Sequence, residues 1–375
     1  MWKRILFIMV FSISAALTAQ VKEVNIEWSS IKNSEGKIKL QEIKQWGGEN
    51  AGKNELFKYP TDISRDSKGN YYVADMGENE ISIFDKNEKY LKKIGRSGSG
   101  PGDLKYPIAI EIDSDDNLLV AEEGNRRIQI FDNGKSVNTI KPANNEYWTL
   151  RVDKKKRIAA KNSSVENGSS LLDLFGYNKK IIGKIGSFSN NKNEKGVNAY
   201  FAKSYFFALD KAGNYYIAYS HFKQRIDKYS PDGKLLMKIN YKLALPPGEI
   251  KERKSNRGSA VIDEGRPEPL SMDTDGEGNI FLLIRKRQLE KEDYKYFPSF
   301  MSTSNDNEVN MTVNQPKERK NKYDLFALVV FDKEGNVTGM KSLDFFADKI
   351  KIVNGDVFIF NSYVDSFIKQ YKFIK

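Results

Sequence analysis

Residues 59 to 85 and residues 106 to 132 are one unit written twice at a constant offset of 47, without a gap. Pro60 matches Pro107, Asp66 matches Asp113, Asn70 matches Asn117, Ala74 matches Ala121, and Ile83-Phe84-Asp85 matches Ile130-Phe131-Asp132. Looser copies follow: residues 210 to 229 and 275 to 332, with weaker ones at 150 to 175 and 350 to 373, which makes six. A period of roughly 40 to 50 residues built from short apolar runs constrains a chain to stack similar units, because one unit alone cannot bury its apolar faces.

Each unit reads as strands. In the second copy, the apolar run 107 to 112 ends in an Asp-x-x-Gly/Asp-Asn turn, whose last residues tolerate the positive φ of a tight hairpin. Runs 118 to 121, 128 to 131 and 135 to 140 follow, separated by polar segments. Four strands per unit predict an all-β, six-bladed β-propeller of four-stranded antiparallel blades. The last unit has room for only three strands, whereas residues 39 to 46 precede the first unit without partners of their own. The N-terminal strand is therefore expected to complete blade six and close the ring, which hides the sheet edge that would otherwise invite association and implies a monomer.

The chain opens with a basic Met1-Trp2-Lys3-Arg4, an apolar run to Ala16, and Leu17-Thr18-Ala19 ending in a small residue. This is the order of a cleaved leader, and the apolar run falls short of the roughly 20 residues of a spanning helix. The expectation is a leader at 1–19, a single domain over 20–375, and export to the periplasm or the exterior. With no cysteine, disulfides, thiolate metal sites and a lipid-bearing cysteine are excluded, so the protein is not expected to be a lipoprotein. The net charge of +11 favours anionic partners, although both signs are interspersed along the chain as on an ordinary solvated surface.

The run Gly95-Arg96-Ser97-Gly98-Ser99-Gly100-Pro101-Gly102-Asp103-Leu104 before Tyr106-Pro107, then Asp116-Asn117-Leu118, then Asn125-Arg126-Arg127-Ile128-Gln129-Ile130-Phe131-Asp132, resembles the NHL repeat. More broadly, the chain is similar to exported six-bladed propellers of Bacteroidota. Within that resemblance, the arginine at the start of a third strand pairs inside its own blade.

Length is distributed unevenly among the loops. The first-to-second turns are short, while the second-to-third loops and blade connections carry residues 187–205, 240–270 and the insertion 285–322 inside blade five. Long loops gathered on one face point to function there. The insertion holds Tyr294, Tyr296, Phe297, Phe300, Met301 and Met311, which suit either a lid offering aromatic contacts or a decoration packed on neighbouring blades. Its stretch 302–310 is polar and expected to be mobile.

Alternation along the first strands puts two columns nearest the channel: Asp62, Ala109, Thr149, Phe206 and Ser271, then Ser64, Glu111, Arg151, Ala208 and Asp273. Glu111, Arg151 and Asp273 either meet a ligand or satisfy one another in a wet tunnel. Arg126, His221, Tyr294, Tyr296 and Phe297 complete the candidate binding residues.

Enzyme readings have less to stand on. His221 is the single histidine, which excludes a multi-histidine zinc site and leaves one possible base for a serine triad. No G-x-S-x-G elbow, P-loop or dinucleotide glycine motif occurs, and Gly98-Ser99-Gly100 belongs to a blade connection. A carboxylate site for a calcium-type ion, as in a lactonase or lyase, would draw on Asp75, Glu122, Glu123 and Asn125 at the starts of second-to-third loops. Arg126, Arg127, Arg225, Arg266, Arg285 and Arg287 would make a basic patch for RNA, but a leader directs the chain away from RNA. The sequence therefore leads to a non-catalytic binding or scaffold module without a cofactor, engaging a protein, peptide or anionic glycan through its long-loop face.

Overall fold

The computed structural model describes residues 20–49, 51–141, 145–162, 168–188, 204–220, 223–245, 250–255, 258–263, 267–304, 309–316 and 323–374. The expected leader at 1–19 and His221 lie outside these residues.

Six four-stranded antiparallel blades are present, each running outward from the channel. Blade one is Pro60–Arg65, Tyr71–Asp75, Glu80–Phe84 and Tyr90–Ile94; blade two is Pro107–Ile112, Leu118–Glu122, Arg127–Asp132 and Lys135–Ile140. Blade three is Asn145–Val152, Ile158–Asn162, Leu172–Phe175 and Ile181–Ile185; blade four is Tyr205–Leu209, Tyr215–Tyr219, Arg225–Tyr229 and Leu235–Tyr241. Blade five is Glu268–Thr274, Ile280–Arg285, Phe326–Phe331 and Val337–Leu343. Blade six takes three strands from the C-terminus, Lys349–Val353, Asp356–Asn361 and Phe367–Ile374, and its outer strand, Lys39–Gly47, from the N-terminus.

The turn chemistry explains why the repeat is legible. Asp66 Oδ1 accepts from the Asn70 amide N–H at 2.8 Å while Oδ2 accepts from the Asn70 side chain, so one carboxylate ties off the hairpin. Asp113 with Asn117, Asp210 with Asn214 and Asp275 with Asn279 repeat the arrangement. Gly69 sits at φ +91°, which a side chain would strain, and Asp116 takes the equivalent place in blade two at +62°. Blade six departs from this pattern with a two-residue Asn354-Gly355 turn, both residues at positive φ.

Middle strands such as Leu118–Glu122, Tyr215–Tyr219 and Phe326–Phe331 are buried along their whole length because a blade packs on both neighbours. The closing strand is anchored by Trp46, which has no exposed surface. Its Nε1–H donates to Gln370 Oε1 at 3.1 Å, and its ring lies 5.1 Å from Tyr71 and 5.2 Å from Phe84 of blade one. One side chain thus joins the last blade to the first.

The chain before the closing strand does more than sequence patterning shows. Lys22–Ile26 adds a fifth, parallel strand outside blade four, a short helix Trp28–Lys32 follows, and Glu35 bridges to Met340 of blade five. Ile31 is fully buried between blades four and five. Residues 22–47 therefore strap three consecutive blades from outside and cover two outer edges. Parallel pairing between segments some 215 residues apart leaves no local signature.

The insertion in blade five is a β-hairpin, Ser299–Ser304 paired with Val309–Asn314, and a second hairpin, Ile250–Ser255 with Gly258–Asp263, precedes blade five. Of the stretch 302–310, residues 302–304 and 309–310 form ladder pairs of this hairpin, and 305–308 lie outside the described residues. Among the described residues, no helix is long and apolar enough to cross a membrane.

Replacing Trp46 by Ala is expected to cost about 3–5 kcal/mol in urea unfolding, whereas Ile43→Lys on the exposed side of the same strand changes stability by under ~0.5 kcal/mol.

Candidate functional site

The innermost strands turn six charged side chains into one layer across the channel. Arg151 of blade three reaches Glu111 of blade two at 3.2 Å and Asp273 of blade five at 3.0 Å. Lys351 of blade six lies 2.8 Å from Glu111 and 3.7 Å from Asp62 of blade one, and Lys349 lies 3.3 Å from Asp62. Three carboxylates thus face three cations from five blades.

The acids also stitch strands together. Asp62 Oδ2 accepts from the Ile110 N–H at 2.9 Å, and Asp273 Oδ2 from the Ile352 N–H at 2.8 Å, each linking its blade to the next. Burial pulls Asp62 upward, but Lys349, Lys351 and Arg151 outweigh it and hold the carboxyl below its ordinary range. Burial disfavours the charge on Arg151, yet Asp273, Glu111 and Asp62 more than reverse this and raise it. Lys349 is lowered by burial and by its neighbours Lys351 and Arg151, against the pull of Asp62.

A cavity lies on either side of this layer. Toward the short-turn face, 480 Å³ is lined by Glu111, Arg151, Asp273 and Lys351 together with first-to-second turns such as Asp153-Lys154-Lys155. Toward the long-loop face, 340 Å³ is lined by Thr61, Ile108, Thr149, Lys161, Ser204, Tyr205, Phe206, Ser220, Leu270, Ser271, Asp348, Lys349, Ser362 and Tyr363.

The second cavity contains an unusual carboxyl. Asp348 Oδ2 accepts from the Ser362 N–H at 2.7 Å and Oδ1 from the Ser362 hydroxyl at 2.9 Å. Burial nonetheless pushes it up to about 7, with these bonds and Lys349 opposing. A titratable group poised near neutrality in a concave site marks a functional candidate.

The sequence-derived candidates divide. Glu111, Arg151 and Asp273 come together as mutual partners in the channel layer. Arg126 is exposed on the second-to-third loop of blade two, and Tyr294 is 50% exposed on the insertion. Tyr296 and Phe297 pack against the blade five and six core, Phe297 lying 5.4 Å from Phe346 and Tyr296 6.4 Å from Tyr323. Both rings remain partly exposed there.

Asp75, Glu122 and Asn125 serve the loops. Asp75 accepts from the amides of Lys58, Tyr59, Gly77 and Glu78. Glu122 accepts from Arg127, Gln129, the Lys105 amide and Asn125, so its lone pairs are taken. Among the described residues, no cluster of three or more His, Cys, Asp or Glu is placed to hold a metal ion. The arginines of the expected basic patch are paired as well: Arg127 with Glu122, Arg225 with Asp227, Arg285 with Glu268, and Arg287 with Asp293 and Asp324. Arg266 lies outside the described residues.

Lys349, Lys351 and Asp348 escaped sequence reasoning because the two-residue turn of blade six shifts its register against the Asp-x-x-Gly-Asn pattern. The alternation Lys349-Ile350-Lys351-Ile352, placed beside Ser271 and Asp273, was the signal available.

Six four-stranded blades around a channel crossed by a layer of paired charges, with a cavity on either side of it, define a six-bladed β-propeller. The chain belongs to the DUF5128 family, 6-bladed beta-propeller, whose model matches residues 53–262, more than half of its length. No curated protein matches it in sequence. A member of the DUF4221 family from Bacteroides vulgatus superposes with a TM-score of 0.57 at 10% identity, covering 90% of this chain and 98% of that one. A Bacteroides fragilis protein named for its expected export superposes at 0.53 and 8% identity, over 95% and 100%. Virginiamycin B lyase from Staphylococcus aureus, at 0.48 and 11% identity over 90% and 100%, is too distant to carry an argument. At such identities the likeness establishes the fold alone.

Two outcomes follow from the layer and the cavity. Arg151→Met leaves Asp273 without its cation and Glu111 with Lys351 alone, and is expected to cost about 3–5 kcal/mol in chemical unfolding, with part regained in the double variant with Asp273→Asn. Because Asp348 holds its proton to about pH 7 when folded and releases it near 4 when unfolded, its contribution is full below that lower value and lost as pH rises through 7. Asp348→Asn should therefore match the wild type in melting temperature near pH 4 and exceed it increasingly up to pH 7, with a constant gap beyond.

Proposed function

We propose that this propeller is a non-catalytic extracytoplasmic binding module that takes a projecting group of a protein, peptide or glycan into the long-loop-face cavity. The extracytoplasmic placement rests on the leader-like residues 1–19, and no metal or cofactor enters the reading.

The observation that carries it is the reach of the blade-five hairpin. Its returning strand ends beside blade one, where Gln315 Nε2 lies 3.5 Å from the Tyr59 hydroxyl. Val313 packs on the apolar cluster centred on blade two, which also takes Tyr59 and Tyr363. Tyr59 and Tyr363 themselves stack at 5.9 Å, and Tyr363 lines the cavity. An insertion that leaves blade five and returns by way of blade one spans the mouth beside blade six. The hairpin thus adds structure beside Tyr59 and Tyr363 at this mouth, whereas the opposite mouth is formed by short turns.

A pulldown from the native envelope compares the wild type with two variants: one whose residues 299–314 are replaced by a short Gly-Ser turn, and Thr149→Trp, which fills the cavity. The partners recovered by the wild type are expected to fall at least about tenfold with both variants, at unchanged circular dichroism and melting temperature. Recovery of the same partners by both folded variants would rule the long-loop face out.

A further inference from the structure

We infer that Asn354-Gly355, the two-residue turn of blade six, is a site of self-modification: its asparagine deamidates without an enzyme, and the isoaspartate that forms loosens the charged layer across the channel. The turn departs from those of the other blades, and the departure leaves a reactive pair unprotected.

Elsewhere the turn asparagine is tied down. Asn70, Asn117, Asn214, Asn279 and Asn336 each donate the side-chain amide to an aspartate four residues earlier. They are followed by Tyr71, Leu118, Tyr215, Ile280 and Val337, whose side chains crowd the next backbone nitrogen. Asn354 has neither restraint. It is exposed, and among the described residues its side chain has no hydrogen-bond partner. Gly355 is exposed as well, its N–H has no acceptor among the described residues, and a side chain built on it would meet nothing within 4 Å. Asn-Gly also occurs at 133–134 and 167–168. Asn167 lies outside the described residues, and the Asn133 side chain donates to Asp132 Oδ1 at 2.8 Å, so it is held where Asn354 is not.

Asparagine is among the thermolabile residues, and the step here needs only water. Gly355 N gives its proton to hydroxide and attacks Asn354 Cγ. The Cγ–Nδ2 bond breaks, and Nδ2 leaves as ammonia with a proton from water, which restores the hydroxide. Water then opens the five-membered imide at either carbonyl, giving aspartate, or isoaspartate with the main chain routed through Cγ. Nothing is oxidised or reduced.

The two products differ in consequence. Aspartate adds a charge at the short-turn cavity, which this turn lines, and leaves the main chain as it was. Isoaspartate adds a main-chain atom to a turn of only two residues, both at positive φ, and Val353 no longer closes opposite Asp356. Two residues before Val353 stands Lys351, 2.8 Å from Glu111 and 3.7 Å from Asp62, so the slackened strand is one that supplies the channel layer.

The purified protein is held at 37 °C at pH 8.5 or pH 5 and followed by tryptic mapping with electron-transfer fragmentation. In peptide 352–369, aspartate and isoaspartate are expected to accumulate at Asn354 at pH 8.5, several times faster than at Asn133 in peptide 128–135, and far more slowly at pH 5, because hydroxide starts the step. Asn361 is the control within the same peptide: it has no exposed surface, donates to Asp365 and accepts from the Val364 and Asp365 amides, and should stay intact. Modification of Asn133 or Asn361 as fast as Asn354, or equal rates at the two pH values, overturns the inference. The aged wild type is expected to melt a few degrees lower in proportion to its isoaspartate content. Fresh Asn354→Asp should melt with the fresh wild type, and Asn354→Gly, which still accepts positive φ, should keep its melting temperature on ageing. Equal melting of aged and fresh wild type, or a loss on ageing that persists in Asn354→Gly, overturns the link to the channel layer.

Discussion

Everything in this molecule depends on one pairing between the two ends of the chain. Lys39–Gly47 runs antiparallel to Phe367–Ile374, from Lys39 opposite Ile374 to Gly47 opposite Phe367. An open ring of blades would leave an apolar sheet face between first and last and two unpaired edges, and this one ladder removes both. Trp46 makes the closure a packing event as well as a hydrogen-bonded one, because it sits against Tyr71 and Phe84 of blade one. A cysteine-free chain has no covalent alternative, so the outer strap of residues 22–47 acts as the clasp.

Closure creates the channel, and the channel creates the electrostatic problem that the structure solves next. Inner strands from six directions bring polar side chains into a narrow space where unpaired charges are costly. Asp62, Glu111 and Asp273 answer Arg151, Lys349 and Lys351, and two of the acids double as acceptors for backbone of the following blade. The layer separates the long-loop cavity from the short-turn cavity. The two mouths can therefore differ in chemistry, and only one of them is flanked by a hairpin from blade five.

Legibility followed locality. The 47-residue offset works because an Asp carboxylate capping its own Asn four residues on is a local device that each hairpin repeats. Glu111, Arg151 and Asp273 could be placed at the channel because side-chain alternation along a strand is also local. Where the local device changed, in the Asn354-Gly355 turn, the register slipped and Lys349 and Lys351 went unseen, although they supply two of the three channel cations. The aromatics of the insertion read equally well as contact residues or as a decoration packed on neighbouring blades, and the structure sets Tyr296 and Phe297, partly buried, against Tyr323 and Phe346.

Sequence by itself determined the six-bladed ring, its four-stranded blades and its closing strand, because turn capping, alternation and repeat period are all written within a few residues of one another. Tertiary structure alone decided the parallel strand outside blade four, the composition of the channel layer, the hairpin reaching blade one, and the cavity in which Asp348 is buried. These depend on residues that meet only after the ring has closed, and the energies that rank them, burial against charge pairing, have no value until the distances exist.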